Sequence, residues 1–596
     1  MCGIIGAITR DQTLKYRAYK VLEKNNYRGP DATCLKVFEQ CQYRKDVVLG
    51  FNRLAIQDLS NDANQPYVRN NIAVMFNGEI YNHMLLRESV PDYNFETSSD
   101  VEIIVALYEK YGINFVKYLN GMFAICLVDF SVKKIYLMRD RIGIKPLYLF
   151  TSEETICFAS NVTAIVSLIN LKPNYNMRYF YRNMILDPFV GFGNLTPFKD
   201  IVSLEPATIY LVDLNDFSIE TLQYYSIPVN NEEVISIQML QEYFQNSIDL
   251  QLKADVPIGC ALSGGIDSSL ISVFCKKKLE KLKMFTLVSK QAYSDSVFSD
   301  DEYYSKMMVK HLNIEEKDWI PIPIKSHWTI QEIDQIVNCL GSPIYDERAL
   351  VWDNLYKQVK EHGITVFING QGADEIWYGY YPKIWNWFSL LYHCPLNART
   401  IESYFISMRS QSALKDIIQI PIELEKEMIL EVTGRILSQE GVDDQQKLSL
   451  FMMKTVLPGL LFFEDALSMK NAVEVRVPFI DHRMINLSFS TSGKNHIARS
   501  SLGKGYLREA FKNQLPNEIL TRQKAPLPKP ENDKSLQNIF EENLSEIQND
   551  KLVQTLYNTV NFPNLLHQTA NGFYGGVNEA LLQIISTWRF SKIYNA

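Results

Sequence analysis

Short apolar runs separated by polar turn residues dominate the first 225 or so residues of the chain. Runs of this kind, bounded by turn signals, predict strands of antiparallel β-sheets. One segment, residues 101–111, has a helical pattern instead, and Thr97, Ser98, Ser99 and Asp100 before it are N-cap residue types. The predicted strands are 2–8, 47–51, 72–76, 122–129, 134–138, 156–159 and 208–212.

The pattern changes after the polar segment 230–234, which predicts a linker. Beyond it, helix-like segments alternate with short apolar runs, an arrangement typical of an α/β domain with a largely parallel sheet. From about residue 390 the periodicity is mostly helical. The pattern therefore predicts two domains, 1–225 and 235–596. The strands predicted in the second are 256–262, 283–288, 319–322 and 365–368.

Length, composition and charge exclude some classes of protein. A chain of 596 residues exceeds what one core usually serves, and 46% hydrophobic and 21% charged residues are typical of globular proteins. The net charge of −8 argues against a general nucleic-acid binder. The nine cysteines form no C-x-x-C pair, and the longest apolar stretch, 384–396, is too short and too polar for a membrane span. Without a signal-peptide pattern, these features predict a cytoplasmic enzyme with no nucleic-acid or membrane partner.

The second residue is a cysteine that removal of Met1 would place at the amino terminus. A thiol beside its own α-amine forms a compact nucleophile and base. The alternative is a small buried apolar residue, which is the usual role of a free cysteine. Position alone favours the buried-cysteine interpretation, and the motifs further along the chain reverse that preference.

The strongest local motif is ALSGGIDSS at 261–269, between an apolar run and a helical pattern. Glycines allow backbone N–H groups to approach phosphate oxygens, and the helix start adds its positive dipole end. Asp267 would repel phosphate unless Mg²⁺ lay between them. The motif is not a Walker loop, and it resembles the pyrophosphate loop of ATP pyrophosphatases; a plain strand-to-helix turn is the alternative.

A second glycine-rich acidic turn, NGQGADE at 369–375, follows the apolar run 365–368. Ligands of α/β domains bind at the carboxyl ends of parallel strands, which is where this turn would lie. Asp374 is a candidate to share Mg²⁺ with Asp267. A polar surface turn is an equally good interpretation of this segment by itself.

With these motifs in order, the chain resembles the glutamine-dependent asparagine synthetases, which join a class II glutamine amidotransferase to an ATP pyrophosphatase-type synthetase. The resemblance covers residue 2 to about residue 530. It implies an α+β N-terminal nucleophile sandwich domain followed by an α/β ATP pyrophosphatase domain with a parallel sheet and a helical C-terminal part. Besides the start and the two glycine-rich turns, the matching strings are RGPD (28–31), LGFNRLAI (49–56), FNGEIYN (76–82), SD (99–100), RDRIGIKPLY (139–148), EVRVPFID (474–481) and GKGYLR (503–508).

For the first domain the resemblance implies that Cys2 attacks the side-chain amide of L-glutamine. The Asn77 side chain and the Gly78 N–H would stabilise the oxyanion, a task suited to neutral donors. Arg53 would bind the glutamine carboxylate through its planar guanidinium. The remaining implied glutamine-binding residues are Leu54, Ile56, Glu79 and Asp100. A surface ion pair for Arg53 and a helix cap for Asp100 are the structural alternatives.

For the second domain the resemblance implies ATP as substrate and Mg²⁺ as cofactor. Asp267 and Asp374 would hold Mg²⁺, Lys504 would neutralise charge at the adenylate, and Gln371 lies where a catalytic acid is common. Without the resemblance, Lys504 would be taken for an exposed lysine. The implied ATP-binding residues are Leu262, Ser263, Gly264, Gly265, Asp267, Ser268, Ser269, Leu287, Asn369 and Gly370.

Several positions depart from the common asparagine synthetase pattern, and most concern the acceptor acid. Gln371 replaces an acid thought to act as base, and glutamine cannot accept a proton at neutral pH. Ala466 stands where relatives often have a basic residue, and Tyr27 replaces a histidine. The segment 340–348 lacks the usual Asp-Glu-Pro string and offers Arg348 as a carboxylate anchor or as an ordinary surface charge.

These observations leave several functions open. The first is an asparagine synthetase acting on L-aspartate, with ammonia passing between the domains through a shielded passage. The second applies the same chemistry to another carboxylate, such as one in a surface polysaccharide or a specialised metabolite. A non-catalytic nucleotide-binding homologue is the third, and a ring-closing enzyme needing no ammonia is a further alternative. A homodimer is compatible with each.

Overall fold

The computed structural model describes residues 2–42, 45–185, 193–229, 234–289, 301–380, 413–414, 416–437, 441–525, 533–570 and 576–595. The predicted linker at 230–234 lies almost wholly outside these ranges, and so does the apolar stretch at 384–396. Within the described ranges, no helix combines the length and the apolar character needed to cross a membrane.

The first part of the chain folds into two six-stranded sheets whose paired strands run antiparallel. The sheet orders are β10-β8-β9-β1-β3-β2 and β12-β11-β7-β6-β5-β4. The strands are β1 (Cys2–Thr9), β2 (Ala32–Gln42), β3 (Lys45–Arg53), β4 (Tyr67–Arg69), β5 (Ile72–Ile80), β6 (Gly121–Asp129), β7 (Lys134–Arg139), β8 (Tyr148–Thr151), β9 (Thr155–Ala159), β10 (Ile201–Ser203), β11 (Thr208–Asp213) and β12 (Ile219–Gln223).

The two sheets pack face to face because alternate residues of their strands form one apolar layer. Ile4 and Leu49 of the first sheet belong to the same buried cluster as Met75 and Ala124 of the second. Alternation of this kind places every second side chain on the inner face of a sandwich. The helices of this part are Leu14–Lys24, His83–Glu88, Val101–Tyr111, Val162–Ile169 and Met177–Ile185.

The second part is built on a five-stranded parallel sheet in the order β15-β14-β13-β16-β17. Its central strands are buried, as in parallel sheets covered on both faces. The predicted parallel α/β architecture is therefore confirmed. The strands are β13 (Ile258–Ala261), β14 (Lys283–Val288), β15 (Trp319–Pro323), β16 (Val366–Ile368) and β17 (Glu474–Arg476).

Helices follow these strands and make up the described carboxyl-terminal region. A π-helix, Met452–Val456, separates the helices Asp444–Phe451 and Leu457–Lys470. The other α-helices of this part are Ile237–Gln251, Ile266–Lys278, Asp301–His311, Ile330–Leu340, Arg348–Glu361, Ala373–Ile376, Ile422–Leu437, His482–Phe489, Gly493–Ala498, Gly505–Ala510, Asn517–Thr521, Ser535–Glu542, Leu544–Asn549, Lys551–Leu556, Phe562–Ala570 and Val577–Asn595.

The helix-cap alternative for Asp100 is wrong, although Ser99 of the same predicted N-cap cluster bonds to the start of the helix. Asp100 occupies the N-cap position of Val101–Tyr111, but its side chain makes no capping hydrogen bond. Its carboxylate instead accepts a hydrogen bond from the Ile80 N–H at 2.9 Å. The Ser99 hydroxyl accepts one from the Val101 N–H at 3.3 Å, so Ser99 supplies the local cap and Asp100 is free to face β5.

Candidate functional sites

Cys2 begins β1 and lies beside Asn77 of β5, so that one residue from each sheet meets between the sheets at the end of the sandwich where β1 starts. The Cys2 backbone N–H donates to Asn77 Oδ1 at 3.0 Å. The Asn77 side chain is fully buried, and its Nδ2 finds no acceptor within the described residues. A buried amide donor without an acceptor is available to an oxyanion that forms beside the thiol.

The thiol of Cys2 is buried, and this burial raises its pKa. The Leu54 N–H, which hydrogen-bonds to the sulfur, and the nearby Arg53 guanidinium lower the pKa in part. The thiol therefore needs a base beside it to become a nucleophile at neutral pH.

Gly78 owes its conformation to the close pairing of β5 with β6. Its φ is +146°, and a Cβ atom there would lie 1.9 Å from the Met122 carbonyl oxygen. Only glycine fits such a position without displacing the neighbouring strand. The residue therefore keeps the Asn77–Gly78 backbone in this geometry.

Arg53 is held by main-chain oxygens at the end of β3. One guanidinium nitrogen donates to the Ser60 carbonyl at 2.5 Å and to Asn64 Oδ1 at 2.9 Å, and the other donates to the Asp58 carbonyl. These bonds fix the orientation of the guanidinium without neutralising its charge. The Ile56 carbonyl accepts from the Asp255 N–H at 2.8 Å, which ties this segment to the second part of the chain.

Glu79 and Asp100 are both buried, and the charge of Asp100 raises the electrostatic cost of ionising Glu79. Burial is the main reason why the pKa of Glu79 lies well above its ordinary value, and Glu474 and Asp100 add to the effect. Burial also raises the pKa of Asp100. Two acids in this state favour a cationic ligand, such as the ammonium group of an amino acid.

A cavity of about 470 Å³ opens at the carboxyl ends of β13, β14 and β16, where α/β domains bind ligands. It brings together most of the residues that the sequence assigns to ATP, to Mg²⁺ and to catalysis in the second domain: Leu262, Ser263, Gly265, Asp267, Ser268, Leu287, Asn369, Gly370, Gln371, Asp374 and Lys504. The two glycine-rich turns, separated by about 100 residues of sequence, therefore form one site.

Gly264 and Ser269 do not line this cavity. Gly264 has a φ of +70°, and a Cβ atom there would lie 2.3 Å from the Tyr304 Cβ, so this residue shapes the turn against the helix Asp301–His311. Ser269 is fully buried in the helix Ile266–Lys278. Motif position alone did not distinguish lining residues from supporting ones.

Opposite charges meet inside the cavity. Lys504 Nζ lies 2.5 Å from Asp267 Oδ2 and 2.6 Å from Asp374 Oδ1, and Lys524 Nζ lies 2.5 Å from Asp374 Oδ2. Burial opposes ionisation of Asp374, yet the two lysines hold its pKa well below the ordinary value. Burial prevails at Asp267 and raises its pKa, because a single lysine contacts it and Asp374 repels it.

Comparison with known proteins agrees with this geometry. Residues 239–588, more than half of the chain, match the asparagine synthase family model, and residues 1–225 match the glutamine amidotransferase domain model. The chain belongs to the asparagine synthase family. Two curated relatives from Bacillus subtilis are named asparagine synthetase [glutamine-hydrolyzing] 2 and 3. The first is 27% identical over 88% of this chain and 71% of its own length; the second is 26% identical over 96% and 94%.

Among solved structures, glutamine phosphoribosylpyrophosphate amidotransferase from B. subtilis covers 54% of this chain and 81% of its own. Its sequence identity is 12% and its TM-score is 0.28, values too low to support a conclusion.

The cavity of this family member fits a magnesium ion bound together with phosphate. Mg²⁺ is commonly held by one or two carboxylates plus phosphate oxygens and water. Asp267 Oδ1 is buried without a hydrogen-bond donor within the described residues, as expected of an oxygen reserved for another ligand. Among those residues no group of three or more metal-ligating side chains occurs, so the protein alone offers two carboxylates, not a complete cage.

Sequence reasoning missed two basic residues of this cavity, Arg522 and Lys524. Arg522 donates to the Ser263 carbonyl at 2.8 Å and pairs with Asp301 at 2.6 Å. Neither residue lies in a glycine-rich motif, and the sequence TRQK at 521–524 resembles an ordinary polar segment. Only the fold brings it beside the loop at 263–268.

A buried polar interface joins the two candidate sites. Asp465, on the helix Leu457–Lys470, accepts from Arg28 at 2.8 Å and lies 3.4 Å from Lys145 Nζ, and all three side chains are almost fully buried. Nearby, Arg476 of β17 binds Glu474 at 2.6 Å and lies 3.7 Å from Glu79. The glutamine-amidotransferase part therefore contacts the synthase part directly, at the end of the sandwich that holds Cys2.

Proposed function

We propose that this chain hydrolyses L-glutamine at Cys2 and uses the ammonia to amidate a carboxylate that ATP has adenylated, with L-aspartate as the acid and L-asparagine, AMP and pyrophosphate as products. The observation that carries the proposal is the pairing, across one buried interface, of a Cys2–Asn77 site with a cavity that contains Asp267, Asp374 and Lys504. We assign the two activities to residues 1–225 and 235–596.

In the first site the Cys2 α-amine, free once Met1 is removed, accepts the thiol proton as sulfur attacks the glutamine amide. Asn77 Nδ2 and the Gly78 N–H stabilise the oxyanion. Arg53, already oriented by its carbonyl partners, binds the glutamine carboxylate, and Glu79 and Asp100 bind its ammonium group. The backbones of Leu54 and Ile56 line the pocket.

In the second site Leu262, Leu287, Asn369 and Gly370 contact adenosine, while Ser263, Gly265 and Ser268 donate hydrogen bonds to the phosphates. Asp267 and Asp374 would hold Mg²⁺, which when bound neutralises charge on the pyrophosphate leaving group. Lys504 moves from its carboxylate partners to the phosphates, since a bound nucleotide offers a higher negative charge. We place the reaction in the cytoplasm, and the free thiols of the described cysteines are consistent with a reducing compartment.

A second candidate function keeps this chemistry and changes the acid. Arg348 lines the cavity, and its Nε donates to Asp346 at 2.8 and 2.9 Å, so the acid-binding side carries a charge pair not expected from the common family pattern. Gln371 lines the same cavity. Because these two residues differ from the common family pattern, several carboxylates should be assayed as acceptors.

The test incubates the purified protein with ATP, Mg²⁺, L-glutamine and L-aspartate and measures AMP, pyrophosphate and asparagine. Equal amounts of the three products support the proposal. Release of ADP in place of AMP contradicts the adenylation step. AMP release with another carboxylate, and none with L-aspartate, supports the second candidate.

A further inference from the structure

The synthase cavity lacks an acid at the position of Gln371, although the amidation step needs a proton acceptor. Attack by ammonia leaves a positively charged nitrogen that must lose a proton before a neutral amide forms. The Gln371 amide cannot accept that proton. If the proposed function holds, another group in the same cavity has to do so.

Glu464, on the helix Leu457–Lys470, lines this cavity and is 4% exposed. Its Oε1 accepts a hydrogen bond from the Tyr356 hydroxyl at 2.9 Å and another from Asn369 Nδ2. Asn369 Oδ1 in turn accepts from the Gln371 N–H at 3.1 Å, so the Asn369 side chain links Glu464 to the residue that stands in place of the acid.

The second carboxyl oxygen, Glu464 Oε2, is buried and has no hydrogen-bond donor within the described residues. Leaving a buried acceptor without a donor is unfavourable, so such a site favours a small donor. Ammonia is of that size and carries N–H donors. The two hydrogen bonds to Oε1 fix the position of the carboxyl group and leave Oε2 available to accept a hydrogen bond from ammonia.

Glu464 and Asp465 are consecutive residues of the helix Leu457–Lys470, but their side chains face different surroundings. Successive helix residues project about 100° apart, and Asp465 pairs with Arg28 and Lys145 at the interface with the amidotransferase part. Glu464 projects into the cavity instead. The helix therefore places Glu464 between the interface and the nucleotide site.

The surroundings also suit proton transfer near neutral pH. Burial raises the pKa of Glu464 to about 7, although Tyr356, Asn369 and Lys145 stabilise its charged form, and Asp465 opposes that form. A base with a pKa near the working pH both accepts and releases protons efficiently. The other charged groups that line the cavity are Asp267, Asp301, Arg348, Asp374, Glu375, Lys504, Arg508, Arg522 and Lys524.

We propose that Glu464 is the proton acceptor of the amidation step. The ammonia lone pair forms the C–N bond at the acyl-adenylate carbon, and Glu464 Oε2 takes one proton from that nitrogen. The C–O bond to the phosphate then breaks, AMP leaves with the electron pair, and the protonated Glu464 returns its proton to solvent. Tyr356 and Asn369 are positioning residues for the carboxyl group.

Glu464→Gln tests this assignment because it keeps the side-chain size and removes the base. With ATP, Mg²⁺, L-aspartate and ammonium chloride, we expect ATP–pyrophosphate exchange within about 3-fold of wild type and amide formation slower by roughly 10²–10³-fold. Adding Gln371→Glu to this variant should restore part of the amide formation. Tyr356→Phe should move the pH profile of amide formation to higher pH, since Glu464 loses a bond that stabilises its charged form.

Unchanged amide formation in Glu464→Gln overturns the assignment. An equal fall in exchange and in amide formation also overturns it, because that result is expected of a residue that only supports Asn369. Absence of exchange in the wild type with L-aspartate and with every other acid contradicts the proposed function instead. Infrared spectroscopy then tests Glu464 independently: a carboxyl band that titrates near neutral pH and is lost in Glu464→Gln supports the assignment, and its absence overturns it.

Discussion

The two candidate sites of this protein are assembled in different ways. The Cys2 site draws on residues 2 to 100 of one sandwich, where strands of the two facing sheets place Cys2 beside Asn77 at 3.0 Å. The nucleotide cavity collects side chains from residue 261 to residue 525, on loops and helices around a parallel sheet. A site built between two facing sheets depends on how the sheets pack and on which residues their strands turn inward, whereas one built from loops depends on the topology of the whole domain.

Their electrostatics differ as well. The thiol of Cys2 is buried beside a neutral amide, and its pKa is raised. In the cavity two aspartates are bound by two lysines, and the pKa of Asp374 is lowered. The first arrangement suits a nucleophile that must be activated by its own amine, and the second suits a ligand that arrives with a large negative charge. The difference predicts that the sites can be disabled one at a time.

The largest effect is expected for Cys2→Ala. Removing the nucleophile should lower glutamine-dependent amide formation on the order of 10⁴-fold or more, since no other group of the first site replaces the thiol. Amide formation from ammonium chloride should stay close to wild type because the cavity is untouched. Parallel assays with the two nitrogen sources measure this. Equal loss with both sources would contradict the separation of the sites.

Asp267→Asn should produce the opposite pattern. Loss of one of the two carboxylates that we propose to hold Mg²⁺ at the phosphates is expected to slow ATP–pyrophosphate exchange on the order of 10³-fold while glutamine hydrolysis continues. Glu154→Gln, which changes an exposed carboxylate paired with Arg10, is the matched control and should leave both reactions unchanged. Exchange that persists in Asp267→Asn would remove this residue from the metal site.

Asp465→Asn tests the boundary between the sites. Breaking a buried pair leaves Arg28 and Lys145 without their counter-charge, and we expect a loss of about 3 kcal/mol in the free energy of unfolding. Glu427→Gln, which breaks an exposed pair with Arg178, should cost less than about 1 kcal/mol. Denaturant titrations of the three proteins measure the difference. Equal losses would show that burial adds nothing to the Asp465 pair.

The lowered pKa of Asp465 also predicts how the stability loss in Asp465→Asn depends on pH. Burial alone would raise the pKa of Asp465, but Arg28 and Lys145 hold it below the ordinary value of 3.8. A pKa that is lower in the folded state gives stability that is complete above pH 3.8 and is lost as pH falls through the folded pKa. The difference between wild type and Asp465→Asn should therefore stay constant near neutral pH and shrink below pH 3.8. A difference that grows on acidification would contradict this sign.

Much of the secondary structure followed from the pattern alone. The helix Val101–Tyr111 and the strand Lys283–Val288 have the predicted bounds, because both are apolar segments with clear polar ends. β2, Ala32–Gln42, was missed because its sequence carries several polar residues. β17, Glu474–Arg476, was missed because a three-residue segment with two charged residues does not have the apolar pattern of a buried strand. The two charged side chains are buried because they pair with each other at 2.6 Å.

The sequence by itself determined the family, the two architectures and the two glycine-rich turns that line the cavity, because glycine-rich turns and an amino-terminal cysteine are local features with local physical requirements. Only the tertiary structure placed Lys524 and Arg522 beside the phosphate loop and Glu464 beside Asn369. It also separated Gly264 and Ser269 from the cavity. The reason is that charge pairing, burial and the pKa values they produce depend on groups hundreds of residues apart, which spacing along a chain does not encode.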